Sequence, residues 1–198
     1  MNDSTAAVAH APVGATGIDS RKLGMWIFLS SECLFFGALI STYLLYKGRS
    51  VAGVSPEEVY DIPFTSVSSF VLLMSSLTMV LAHAAFTRRE ETATRVWLLA
   101  TALLGMTFVG GQVFEFTTFV QEGVKLTENL SASAFFVLTG FHGTHVVGGI
   151  FLLLTLFGIS VRQGLAQQHG LNLELVGLYW HFVDVVWIII FTVVYLIP

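Results

Sequence analysis

Seven ionisable side chains stand inside stretches that otherwise carry almost no charge: Glu32, His83, Glu115, His142, His145, His181 and Asp184. His142 and His145 are three residues apart, as are His181 and Asp184, and that spacing puts each pair on one face of a helix. A histidine pair with His181 is compatible with a metal, yet no carboxylate-rich second motif accompanies it. A haem held by two histidines needs room between facing helices, and the bulky Phe141 and Phe182 stand beside the candidates. Neither a Gly-x-Ser-x-Gly elbow nor a phosphate-binding glycine loop occurs, so hydrolysis within a membrane and nucleotide chemistry lack support. No catalytic, cofactor-binding or metal residue is assigned. The chemistry left is proton holding and hydrogen bonding between helices. Glu32, set among Leu34, Phe35 and Phe36, is expected to stay neutral unless a partner is near, because desolvation penalises its charged form. A neutral carboxyl can donate a hydrogen bond to a lipid phosphate or to a neighbouring helix.

The elements that must position these groups follow from composition. Of 198 residues, 55% are hydrophobic and only 11% charged, and the mean hydropathy is +0.78, far from the averages of soluble domains. A helix needs about 20 mostly apolar residues to cross a hydrocarbon core. Five stretches qualify, predicting helices at about 23–46, 62–87, 96–121, 129–161 and 175–197. Lipid offers no partner for backbone polar groups, so each stretch reads as a helix, and the alternating pattern of a barrel is absent. The expected fold is all-α: a polytopic bundle of five transmembrane helices spanning residues 22–198. Residues 1–21 form a cytoplasmic tail expected to be disordered, with neither the basic start nor the apolar core of a secretory signal.

Charge sets the orientation. Arg21, Lys22, Arg88, Arg89, Arg95 and Arg162 fall on the N-terminal side, against Lys47, Arg49 and Lys125 on the other, which places the N-terminus in the cytoplasm and the C-terminus outside. Glu32 and Asp184 then lie about ten residues, or ~15 Å, from their cytoplasmic helix ends and share a level. His142 falls near the middle, and His145 near the level of His181. Glu32, His142, His145, His181 and Asp184 are therefore the candidate polar cluster. Glu115 falls near the outer boundary and His83 near the inner end of its helix, where each can reach headgroups or water. Gly140, Thr144 and Gly148 recur every fourth residue and form a smooth stripe suited to helix packing. A helix interface stapled by buried polar residues needs no chemistry, and that reading stands beside the functional one. The net charge of −4 and dispersed basic residues offer no nucleic-acid surface, and the single Cys33 cannot form an intrachain disulfide.

Three segments, SSECLFFG (Ser30 to Gly37), TGFHGTHVVGG (Thr139 to Gly149) and YWHFVDVVW (Tyr179 to Trp187), resemble the characteristic segments of subunit III of heme-copper terminal oxidases, in order and in placement on successive helices. The resemblance extends over about Lys22 to Pro198. It implies a subunit without haem or copper of its own, attached to a catalytic subunit I, with subunit II in the same complex, that reduces oxygen to water and pumps protons. Haem and copper are then expected in the partners, and phospholipid in a cleft of a V-shaped bundle in a bacterial plasma membrane. The resemblance also implies support of rapid proton uptake and protection from inactivation in turnover. Glu32 matches the family's buried glutamate that reacts with carbodiimide, and His142, His145, His181 and Asp184 match polar positions of the other two motifs. Many members have seven helices, whereas five are read here. A small proton-coupled transporter, or the related accessory protein of nitric oxide reductase, are the competing functions.

Overall fold

A computed structural model of the chain describes residues 19–47, 60–124, 130–164 and 169–197. Residues 1–18 of the expected tail lie outside these, as do Asn129 and Pro198. The described residues form five long helices: α1 Ser20–Tyr46, α2 Ile62–Thr87, α3 Glu91–Gln121, α4 Leu130–Gln163 and α5 Gly170–Phe191, the last continued by a π turn, Thr192–Leu196. Each is long and apolar enough to cross a membrane.

Three helix starts differ from expectation, each because a charged residue read as loop is accommodated within a helix. Ser20 and Arg21, assigned above to the tail, open α1 behind Asp19, whose Oδ1 accepts the Arg21 N–H at 2.8 Å. α3 begins at Glu91 rather than Val96, since Arg95 pairs with Glu91 one turn earlier at 3.0 Å and also donates to Ser160 Oγ of α4 at 3.0 Å. α5 begins at Gly170 rather than Leu175, because Glu174 is paired with Lys22 of α1. α2 starts where expected, capped by Asp61, which accepts from the Phe64 N–H at 3.1 Å.

The α2–α3 and α3–α4 connections leave their helices in one way. Val124 N–H bonds back to the Phe119 carbonyl around Gly123, at φ 91°, and Glu90 N–H to the Ala85 carbonyl around Arg89, at φ 61°. Glycine adopts that conformation freely, while Arg89 does so at a steric cost.

Neighbours in sequence run antiparallel, and side-chain bonds fix the register. Thr78 of α2 meets Thr101 of α3 at 2.8 Å, and Gln112 of α3 donates to the Thr139 carbonyl of α4 at 3.0 Å. α5 inserts between α2 and α4 and buries ten residues of its own. α1 is peripheral. Its buried residues on α4 and α5 are Leu29, Phe36 and Tyr43, every seventh residue, with Met25, Phe35, Leu39 and Ile40 half-buried beside them, and it is tied to α5 by Lys22–Glu174 at one end and to the Ile197 carbonyl by Lys47 at the other. The remaining outer surfaces expose large apolar side chains such as Leu34, Val67 and Phe151, as helices solvated by lipid require.

Candidate functional site

The sequence pattern predicts one polar cluster, and the structure divides it into a Glu32–His145 ion-pair contact, a hydrogen-bonded group of His181, Ser76 and Asp184, and a histidine against aromatic rings. The first pair joins α1 to α4, where Glu32 Oε2 lies 3.2 Å from His145 Nε2. The other ring nitrogen of His145, Nδ1, is 2.8 Å from the Phe141 carbonyl of its own helix. A carbonyl only accepts, so Nδ1 carries the hydrogen, while Nε2 faces the carboxyl at ion-pair distance without hydrogen-bond geometry, Glu32 Oε2 having no hydrogen-bond partner among the described residues. A proton on Nε2 beside an ionised Glu32 makes the contact an ion pair; without it the contact is polar only. The rings of Phe35 and Phe36, centred 6.2 and 5.0 Å from that of His145, keep the surroundings apolar.

The second group joins α5 to α2 through Ser76, a residue with nothing in its sequence context to single it out. Ser76 Oγ donates to Asp184 Oδ2 at 2.7 Å, and His181 Nδ1 lies 3.2 Å from Ser76 Oγ. The serine's one hydrogen goes to the carboxyl, so Nδ1–H of His181 is the donor in the second bond. Asp184 is only 5% exposed, and its Oδ1 has no partner among the described residues. His181 also lines an open groove of about 440 Å³ between α2 and α5, with the exposed His83 near its rim.

His142 faces away from both pairs. It is 0% exposed, stacked on the Trp187 ring at 4.9 Å and 27°, with Phe108 and Phe36 at its edges at 6.0 and 6.4 Å. Neither ring nitrogen has a hydrogen-bond partner among the described residues. Phe36 thus stands between the two histidines of the i, i+3 pair. Among the described residues, no three His, Cys, Asp or Glu side chains gather as a metal-ligand set.

Both tryptophans of the last motif are buried and satisfied. Trp180 Nε1 donates to Ser75 Oγ at 3.0 Å, and Trp187 Nε1 to Ser69 Oγ at 2.9 Å. Ser69, Ser75 and Ser76 therefore make α2 a polar rail for α5. Ordinary hydroxyls inside apolar helices bond to their own backbone, as Ser69 does to the Thr65 carbonyl, so a sequence does not distinguish those that also reach a neighbour.

The reading of Glu115 is corrected: rather than reaching headgroups or water it is 7% exposed, with Thr65 Oγ1 at 2.8 Å and Tyr195 OH at 3.0 Å. The stripe of Gly140, Thr144 and Gly148 does not make the close helix contacts within this chain. A methyl at Gly140 would meet nothing within 4 Å, and at Gly148 only the Tyr179 hydroxyl at 3.5 Å. Close approach falls on Gly143, against Gln112, and on Gly105 and Gly149, which clasp Trp180 from α3 and α4.

Comparison with known proteins is consistent over the whole chain. A family model described as cytochrome c oxidase subunit III matches residues 1–197. The probable quinol oxidase subunit 3 of Staphylococcus saprophyticus is 42% identical over 178 residues, 89% of each chain. The cytochrome c oxidase subunit 3 of Bacillus sp. PS3 is 41% identical over 177 residues, 89% of this chain and 86% of the relative. The quinol oxidase subunit 3 of Bacillus subtilis is 41% identical over 174 residues, 88% of this chain and 85% of the relative.

Proposed function

Because the chain belongs to the cytochrome c oxidase subunit III family, we propose that it is the non-redox accessory subunit of a proton-pumping heme-copper terminal oxidase in a bacterial plasma membrane. It binds catalytic subunit I, shares the complex with subunit II, holds phospholipid and supports proton uptake. The N-terminus with residues 1–21 lies in the cytoplasm, residues 22–198 form the membrane domain, and the C-terminus lies outside.

The observation that carries this reading is the use made of the mid-span polar residues. Glu32 meets His145 across α1 and α4, and His181 and Asp184 meet Ser76 across α5 and α2. Such bonds fasten helices in a solvent where apolar burial gives no net attraction. They also hold protons without requiring a redox centre. The Gly140–Thr144–Gly148 stripe, left open along α4, supplies a smooth track for a helix of the catalytic subunit.

Relatives of equal identity carry the names of both quinol and cytochrome c oxidases, so the donor is decided by the partner subunits. The test is purification of the tagged chain in mild detergent with a reduced-minus-oxidised visible spectrum. Haem bands with a large partner in fixed proportion are expected. A colourless chain, purified alone from membranes that contain intact oxidase, overturns the proposal. In the assembled oxidase, Glu32→Gln is expected to slow proton uptake, and unchanged uptake removes Glu32 from that role.

A further inference from the structure

The corrected position of Glu115 gives it a set of contacts unlike those of the other buried acids. Its Oε1 is met by two hydroxyls from two other segments, Thr65 of α2 at 2.8 Å and Tyr195 of the π turn at 3.0 Å. Thr65 Oγ1 is also 3.0 Å from the carbonyl of Asp61, one turn earlier in its own helix. A threonine hydroxyl has one hydrogen, and both the Asp61 carbonyl and an ionised Glu115 are acceptors only. With a carboxylate at Glu115, one of these two contacts is an acceptor facing an oxygen with no hydrogen between them. With a carboxylic acid both are bonds: the acid donates to Thr65, Thr65 donates to Asp61, and Tyr195 donates to the acid.

The charges around the site agree. Among the described residues, none of the ion pairs includes Glu115. From α2 it is faced by the acid Asp61, whose side chain caps the helix by accepting from Phe64. Tyr195 comes from the C-terminal segment, and its ring is packed at 4.6 Å on that of Tyr60. Tyr60 in turn has its hydroxyl 3.3 Å from that of Tyr43 on α1. Lys47, the described cation at this end, is occupied by the Ile197 carbonyl, and α4 contributes the Phe135 ring. Among the described residues, a bare carboxylate here would be buried without a counter-ion and beside another acid.

We propose that Glu115 holds a proton as a neutral carboxylic acid and, with Thr65 and Tyr195, forms a proton-binding site at the end of the bundle opposite the Lys22–Glu174 pair. The site is separate from the Glu32–His145 and Asp184–Ser76–His181 groups and does not depend on the oxidase reading. Its proton ties three segments together, since removing it leaves Asp61 and Glu115 competing for one hydrogen of Thr65.

The test is infrared spectroscopy of the full chain in its complex, with the glutamate carboxyls labelled with carbon-13, comparing wild type with Glu115→Gln near pH 8, well above the range of an exposed carboxyl. The amide of Gln is uncharged and its nitrogen can donate to Thr65 as the neutral acid does, while it cannot accept from Tyr195, so one bond is given up and the fold is expected to hold. A carbonyl stretch of a protonated carboxyl, present in wild type and lost in E115Q, is the expected result. Loss of a carboxylate stretch instead overturns the proposal. If E115Q does not assemble, Tyr195→Phe reads the same site. Removing one donor shifts a protonated-carboxyl band if the proposal holds, and a carboxylate band if it does not.

Discussion

Replacing Ser76 by alanine removes the one hydroxyl that links α2 to both Asp184 and His181. Two bonds between helices are lost, and the size of the effect depends on the state of Asp184. Side-chain hydrogen bonds inside bilayers average about 0.6 kcal/mol and reach about 1.7, so a neutral aspartic acid predicts a loss of ~1.2 kcal/mol. A bond to an ionised group contributes ~1.5–3 kcal/mol, which brings the total for a carboxylate to ~2–3.5 kcal/mol. Asp184 is 5% exposed, its Oδ1 lacks a partner, and no cation pairs with it among the described residues, so the neutral acid and the lower figure are expected. The assay is unfolding of the purified chain in mixed micelles of mild detergent and dodecyl sulfate, carried through a cycle of Ser76→Ala, Asp184→Leu and the double variant. Ser76→Ala strands both the Asp184 carboxyl and the His181 N–H, whereas the double variant strands the N–H alone, so the double should cost less than the sum by about 1–2 kcal/mol. Additivity within about 0.3 kcal/mol would refute the link between α2 and α5 described here.

Gly149→Ala places a methyl 2.8 Å from Cε3 of Trp180, a rigid buried ring that cannot swing away, and a cost of about 1–3 kcal/mol is expected in the same unfolding assay. Trp180→Phe should recover part of it by shortening the ring, and no recovery would show that the clash lies elsewhere. Gly140→Ala meets no atom of this chain within 4 Å, so the isolated chain should keep its stability within about 0.5 kcal/mol, while weaker co-purification of the haem-bearing partner would locate that partner on the stripe. His142→Phe removes two buried nitrogens without partners from an aromatic cage and is expected to be neutral or stabilising; loss of more than about 2 kcal/mol would show a bond to the ring. Glu32→Leu should raise amide hydrogen exchange in α1 and leave α2 and α3 protected, and a uniform rise would count against a local role for the pair.

The fold was legible because lipid imposes a simple rule, long charge-free stretches become helices, and five such stretches stand in the chain. The ends were legible only where charge marks the membrane boundary. At Glu91, Arg95 and Glu174 charge sits inside a helix because each side chain has a partner, and pairing across α1 and α5 is not written in either segment. The candidate site was half legible. Ionisable residues announce themselves by their cost in lipid, but their partners Ser76 and Thr65 carry no such cost and look like any hydroxyl bonded to its own helix. A shared face leaves the partners open for a related reason. An i, i+3 spacing places His142 and His145 on one side of α4, yet α1 and α5 both pack on that side, and Phe36 divides it between them. The Gly140 stripe was regular in sequence, but tight contact is decided by where Trp180 falls, and it falls against Gly105 and Gly149.

Helix by helix, the ties are unequal, and the inequality bears on what the Glu32–His145 pair can do. α5 is held by ten buried residues, two tryptophan–serine bonds and the Ser76 bridge. α1 has three buried residues, a lysine tie at each end and one polar contact at its middle. Lipid tails are as apolar as the leucines they would replace, so the thin stripe of Leu29, Phe36 and Tyr43 contributes packing alone, and a large share of the attachment falls to the polar ties. A proton on His145 beside an ionised Glu32 changes the middle tie from a polar contact to an ion pair in a medium of low dielectric, where the difference is large. Linkage is reciprocal: if the proton alters how firmly α1 is held, then whatever presses on α1 alters where the proton resides. A lipid or partner helix bound along the outer face of α1 therefore acts on the protonation of this pair without touching it.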